Sequence, residues 1–254
     1  MQFNFYTPED IAALGSAKRE WLVPGLLEKD TTTLLIGAPG AGKSFVAVDL
    51  ACALTHNYPW LGLYSVERPY PVYYLSSENP SSITRRIMAW KSSHQNPQTL
   101  APLKVTTEPS ILNDDLRESQ ESLVEWMDQP GLLIIDTWSR ALPGLNENSA
   151  SDVSEIIRFL DLVRQATGCT ILIVHHMTKS DGGARGSSAL PGAVDMEFTL
   201  RKSAGGGETR ELALTKNKDG MEGLLTALRI VPFEYNGDQV GQLIAHPASA
   251  YTAQ

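Results

Sequence analysis

The sequence predicts an α/β protein: a mostly parallel central sheet flanked by helices, with antiparallel strands added towards the C-terminal end. Three observations predict it. Apolar runs alternate with helical patterns through the first two thirds of the chain, as in strands joined by crossover helices. One run, Leu132–Asp136 (LLIID), is apolar until its last residue, the composition of a strand buried on both faces. Beyond about residue 195 the helices stop and strand-like stretches follow one another with only turns between them.

The elements follow in order. Residues 1–30 read as an arm or lead-in, and 31–254 as a single domain. Thr32–Gly37 is the first core strand. It runs into a glycine-rich turn and a helix over about 43–54. A second strand, Val72–Ser76, precedes a helix over about 81–93, with Asn79 placed to cap it and Pro80 in its first turn. A short strand at 103–106 leads to an acidic amphipathic helix over about 114–127, and then to Leu132–Asp136. Asp152 and Glu155 have capping-box spacing and would open a helix running to about 166. The strand 170–175 (TILIVH) follows. Strands are expected at 195–202, 210–216 and 224–231, antiparallel and appended to the parallel core.

The 254 residues carry 21 Lys and Arg against 29 Asp and Glu, a formal charge of −8. This excludes a protein that coats nucleic acid with a broad basic surface, but not contact through a few loops. The charge is uneven, with the acidic excess lying outside 179–229. A hydrophobic content of 42% supplies a core, so disorder is not expected. No apolar run reaches the roughly 18 residues of a membrane span, and the N-terminus has no basic and apolar leader pattern. The two cysteines, Cys52 and Cys169, sit in apolar stretches and suggest a reducing, cytoplasmic setting. Neither they nor His56, His94 and His246 have the spacing of a metal site. Trp60, Trp90, Trp126 and Trp138 read as packing residues.

The sharpest signal is Gly37-Ala38-Pro39-Gly40-Ala41-Gly42-Lys43-Ser44, the phosphate-binding pattern GxxxxGK[ST], set between a strand and a helix as that chemistry requires. Glycines let backbone N–H groups turn inward around phosphates, and the helix N-terminus adds its positive end. Lys43 would neutralise the β- and γ-phosphates of ATP, and Ser44 would ligate Mg²⁺. The expected nucleotide-binding set is these eight residues and Phe45. Asp136, at the end of a buried strand, would face the ligand crevice and complete the Mg²⁺ shell. The plain alternative for Asp136 is a strand-end carboxylate capping a turn.

These residues resemble the RecA-type P-loop ATPases, and within them the compact RepA-type hexameric replicative helicases of plasmids and related phage ATPases. The likeness covers about residues 21–220. It is carried by 21–25 (WLVPG), 73–80 (YYLSSENP), 136–148, 167–169 (TGC), 175–179 (HHMTK) and 185–188 (RGSS). It implies a RecA-like P-loop NTPase fold. It also implies that Glu78, after the second core strand, activates the attacking water, where a plainer role is to favour the next helix's N-terminus. Of the paired histidines it implies that His176 senses the γ-phosphate, leaving His175 as a core histidine. Lys216-Asn217-Lys218 resembles an element that reaches a neighbouring subunit's nucleotide, with Arg185 and Arg201 as other candidates for that role; a solvated surface charge is the alternative for each.

The resemblance further implies a homo-oligomer, a hexamer, and single-stranded DNA as partner, held through loops 140–148 and 179–188. The second loop is shorter than in the RepA-type helicases. The expected function is an ATP-hydrolysing, DNA-dependent motor, a replicative helicase or translocase of a plasmid or phage. The alternative is a non-unwinding recombination or helicase-loader ATPase that uses ATP as an assembly switch.

Overall fold

The P-loop strand lies at the centre of a nine-stranded sheet. The computed structural model describes residues 5–15, 19–108, 116–141, 146–177, 183–203 and 208–247. In chain order the elements are α1 (Pro8–Gly15), β1 (Trp21–Val23), β2 (Leu27–Glu28), β3 (Thr32–Gly37), α2 (Lys43–His56), β4 (Val72–Ser76), α3 (Pro80–Ser93), β5 (Leu103–Val105), α4 (Leu116–Trp126), β6 (Leu132–Asp136), α5 (Trp138–Ala141), α6 (Ala150–Thr167), β7 (Thr170–His176), α7 (Ala189–Ala193), β8 (Met196–Lys202), β9 (Arg210–Asn217), β10 (Gly223–Tyr235) and β11 (Asp238–Pro247). The strand order is β11-β10-β9-β8-β3-β7-β6-β4-β5. Strands β5, β4, β6, β7, β3 and β8 pair in parallel, and β8 to β11 pair antiparallel.

The buried strands feed two cores. On one face Leu35, Leu132, Ile134, Leu172 and Val174 meet α2 and α3, with Leu22, Val23, Leu26 and Leu27 from the β1–β2 segment packed among them. On the other, Leu34, Ile36, Leu133, Ile135 and Ile173 meet α4 and α6. Neighbouring residues alternate between the two cores because side chains alternate along a strand. Each such Leu or Ile stabilises by about 1.5–3 kcal/mol relative to exposure, so a charge at Ile134 would disrupt β6 between its neighbours β4 and β7. Lead-in residues 21–28 therefore belong to the packed body, while the described side chains of α1 are exposed.

Local signals set the helices. Asn79 accepts from the Ser82 N–H at 3.0 Å and starts α3. Helix α6 begins earlier than the Asp152/Glu155 spacing suggests: Ser149 is the cap, and Asp152 is the third residue that answers it. The Asp152 N–H donates to Ser149 Oγ, and the carboxylate accepts from the Ser149 hydroxyl at 2.6 Å. Helix α2 is buried nearly all round. Its Asp49 accepts from the Leu61 N–H and the Trp90 indole, each at 2.8 Å, tying α2 to α3 and the loop between. Burial pushes the Asp49 carboxyl above its ordinary range, against those two bonds.

Two features of the last third differ from the sequence expectation. Strand β8 runs parallel to β3, with Thr33 opposite Met196 and Gly37 opposite Leu200, so the antiparallel addition starts only at β9. The crossover into β8 uses the short helix α7, ALPGA, whose Pro and Gly hide it from a helical pattern. Strand β11, unforeseen, pairs with β10 from Thr226↔Pro247 to Tyr235↔Asp238. Its turn is Asn236-Gly237, both at positive φ (52° and 81°), the two-residue connection that matches strand twist.

Candidate functional site

The glycine-rich turn places residues 38–42 at the C-terminal edge of the sheet, between β3 and α2. Gly42 caps α2 at φ 104° with no side-chain cap, so a backbone conformation costly to other residues opens the helix. Lys43 is buried. Its ammonium donates to the carbonyls of Gly37 (3.0 Å) and Ala38 (3.1 Å) and to His176 Nδ1 (3.2 Å). Burial pulls the Lys43 amine below its ordinary value, and the charges of Asp136 and Glu78 oppose that shift.

Asp136 ends β6 beside β4, with its carboxylate accepting from the Tyr74 hydroxyl at 2.6 Å. Burial pushes its carboxyl up, while hydrogen bonds from Tyr74 and Ser44 and the charge of Arg86 resist. Glu78 follows β4. Its Oε1 accepts from the Thr137 hydroxyl at 2.9 Å and lies 3.7 Å from Arg140 Nε. Ser44, Ser76, Glu78, Asn79, Ser82, Ile83, Arg86 and Asp136 line one polar cleft. Arg86 rises from α3 and lies 4.1 Å over the Phe45 ring.

The paired histidines occupy different surroundings. His176 is half-buried beside Lys43; burial, and then the Lys43 charge, hold its imidazole below the ordinary value. His175 is fully buried, and its Nε2–H donates to the Arg185 carbonyl at 2.7 Å, which fixes the neutral tautomer. Its Nδ1 has no partner among the described residues.

The roots of the two candidate loops meet at the end of β7. The Arg185 N–H donates to the His176 carbonyl at 2.8 Å, and Arg185 Nε lies 2.8 Å from Glu147 Oε1. The Ser187 N–H donates to the Glu147 carbonyl at 2.7 Å. Gly186, at φ 92°, comes so close that a Cβ there would sit 2.3 Å from that same oxygen. Residues 142–145 and 178–182, including Lys179, lie outside the described residues.

Lys43, Ser44, Glu78, Asp136 and His176 thus gather at one edge, joined to Arg185 through His176. Lys216 and Lys218 do not join them. Lys216 pairs with Glu197 near the start of β8, the opposite edge of the sheet. Its ammonium donates to the carbonyls of Pro191 (2.6 Å), Gly192 (3.3 Å) and Val194 (2.7 Å), at the end of α7. Lys218 donates to Asp195 at 2.9 Å. Arg201 is exposed on β8 near the P-loop edge. Sequence reasoning missed Tyr74, Thr137 and Arg86, and placed Arg140 in a nucleic-acid loop rather than beside Glu78. Only Arg86 left a trace, a second arginine on the helix after Glu78.

The residues fit ATP and Mg²⁺. The uncapped first turn of α2 presents N–H groups to an anion, Lys43 is a buried cation hydrogen-bonded among the described residues to two carbonyls and an imidazole, and Ser44 with Asp136 is a hard oxygen pair. Fold and site together define a RecA-type P-loop ATPase. The chain belongs to a family of AAA domains, whose model matches residues 3–182. Among solved structures it is similar to the ATPase domain of G40P, with a TM-score of 0.54 and 14% sequence identity over 84% of this chain and 85% of that one. At that identity the likeness speaks for the fold alone. Among the described residues no helix is long and apolar enough to cross a membrane.

Proposed function

We propose that the protein is a DNA-dependent ATPase acting as a ring-forming replicative helicase or translocase of a plasmid or phage, a single RecA-like domain (31–254) with 1–30 as its lead-in. The observation that carries the reading is a bonded path. It runs from Lys43 to His176, from the His176 carbonyl to the Arg185 N–H, and from Arg185 to Glu147. It joins the P-loop to loops 140–148 and 179–188.

In this reading backbone N–H groups of the P-loop and the α2 N-terminus bind the phosphates of ATP, and Lys43 exchanges its carbonyl partners for β- and γ-phosphate oxygens. Ser44 and Asp136 hold Mg²⁺, which when bound offsets charge on the phosphate oxygens. Glu78, oriented by Thr137 and Arg140, positions the attacking water and accepts its proton. His176, losing Lys43 as a partner, donates to the γ-phosphate and moves Arg185 through the bond at its carbonyl. Lys216 and Lys218, remote from their own P-loop, serve a neighbour's nucleotide in a homohexamer. The loops grip the backbone of single-stranded DNA in the cytoplasm of the host.

The deciding experiment measures ATPase rate and oligomer size with and without single-stranded DNA. The expected result is a hexamer whose turnover rises with DNA; a rate indifferent to DNA defeats the reading. An unwinding assay then separates a helicase from a loader ATPase.

A further inference from the structure

We propose that Arg210 is a nucleotide-binding residue of its own subunit's P-loop, its guanidinium taking phosphate oxygens of a bound nucleoside di- or triphosphate. The proposal rests on reading the P-loop as the nucleotide site, and three observations carry it.

The first is position. Arg210 begins β9 and pairs with Lys202 on β8 and Leu228 on β10. Gly37 pairs with Leu200, two residues before Lys202, so this end of β9 shares the sheet edge with the P-loop.

The second is contact. Arg210 Nε lies 3.7 Å from where a Cβ on Gly42 would stand, with Ile230 packed against the same spot at 2.6 Å. Gly42 is the residue from which the first turn of α2 begins, so the guanidinium lies beside the N–H groups that greet an anion.

The third is charge. Arg210 Nε is buried with no hydrogen-bond partner among the described residues, and Nη1 donates to the Glu208 carbonyl at 2.6 Å. Arg210 makes no ion pair among the described residues. The adjacent Glu211 projects to the other side of β9, where its carboxylate accepts from the Ser203 hydroxyl at 2.7 Å. Lys202 flanks Arg210 across the strand. A dry guanidinium donor costs about 1–3 kcal/mol. A phosphate chain answers it, since the guanidinium fork matches phosphate oxygens.

The test displaces a fluorescent ATP analogue with unlabelled ATP and with inorganic tripolyphosphate, which has phosphates but neither base nor ribose. It uses the parent chain and the variants Arg210→Gln, Arg210→Lys and Lys43→Ala. Arg210→Gln should weaken both competitors by roughly tenfold or more, and Arg210→Lys by less. In steady state Arg210→Gln should raise KM for ATP more than it lowers kcat. Tripolyphosphate binding within about twofold of the parent in Arg210→Gln overturns the proposal, whether or not ATP weakens, because Arg210 would then serve base, ribose or packing. Should Arg210→Gln fail to fold, undiminished tripolyphosphate binding by Arg210→Lys with unchanged KM overturns it equally. Failure of the P-loop reading shows differently, as a Lys43→Ala chain that binds ATP as well as the parent.

Discussion

The two ends of β9 lie on opposite edges of the sheet and treat their cations in opposite ways. At the start Arg210 stands against the P-loop with its Nε buried and unbonded among the described residues. At the far end Lys216 is spent on three carbonyls at the end of α7, and Lys218 on Asp195. Lys216 does for α7 what a basic residue does at any helix C-terminus, satisfying carbonyls that lack intrahelical partners. Burial, then the charge of Lys218, pulls its amine below the ordinary value. Lys216, satisfied by its own chain, ties β9 to the end of α7. A guanidinium with no ion pair among the described residues, beside uncapped N–H groups, is placed for an anion.

The variants that test this contrast begin at the P-loop edge. Lys43→Ala should cost on the order of 100-fold or more in ATP turnover; rates near the parent's would dissolve the contrast altogether. Glu78→Gln should keep nucleotide affinity while lowering kcat by roughly 10²–10⁴-fold, measured by binding and single-turnover assays side by side. At the opposite edge Lys218→Ala asks whether a partnered lysine also works for a neighbour. If it lowers turnover, mixing it with Glu78→Gln subunits should restore part of the rate, and no rescue would confine Lys218 to its own chain. Lys216→Ala should cost about 1 kcal/mol of stability in urea unfolding, as one half-buried, charge-assisted cap; an unchanged midpoint would make its three bonds ornamental. The smallest effect is a pH dependence. Burial holds His175 and His176 below their ordinary values, so near and below about pH 6.5 the unfolded chain binds more protons than the folded one. Stability should therefore fall as pH drops through that region, and His175→Gln, which keeps a donor for the Arg185 carbonyl, should flatten the fall in thermal melts.

Much of the site was legible because its parts sit in local motifs. The glycine pattern, a carboxylate closing a buried strand and a cap before α3 each occupy a few consecutive residues. What escaped depends on distant partners. Arg86 over Phe45 and Arg210 against Gly42 join segments whose spacing carries no pattern. The parallel sense of β8 escaped because its crossover helix contains Pro and Gly. Strand β11 had a signal, Asn236-Gly237 between alternating apolar residues, and could have been found from it. The roles of Lys216 and Lys218 were drawn from resemblance, and no pattern within the chain could have told that carbonyls at the end of α7 would hold one of them.

Strand β3 has a consequence for the order in which the molecule is made. Its neighbours are β7 and β8, both far along the chain, and the wall beside Gly42 comes later still, from Arg210 and Ile230. A ribosome therefore delivers the glycine-rich turn long before any strand that can flank it. Such long-range pairing is slow to form, and domains are completed as units as synthesis proceeds. A chain released before β8 would carry the whole phosphate-binding motif on a strand with one edge unpaired, and without the wall that Arg210 and Ile230 place beside Gly42.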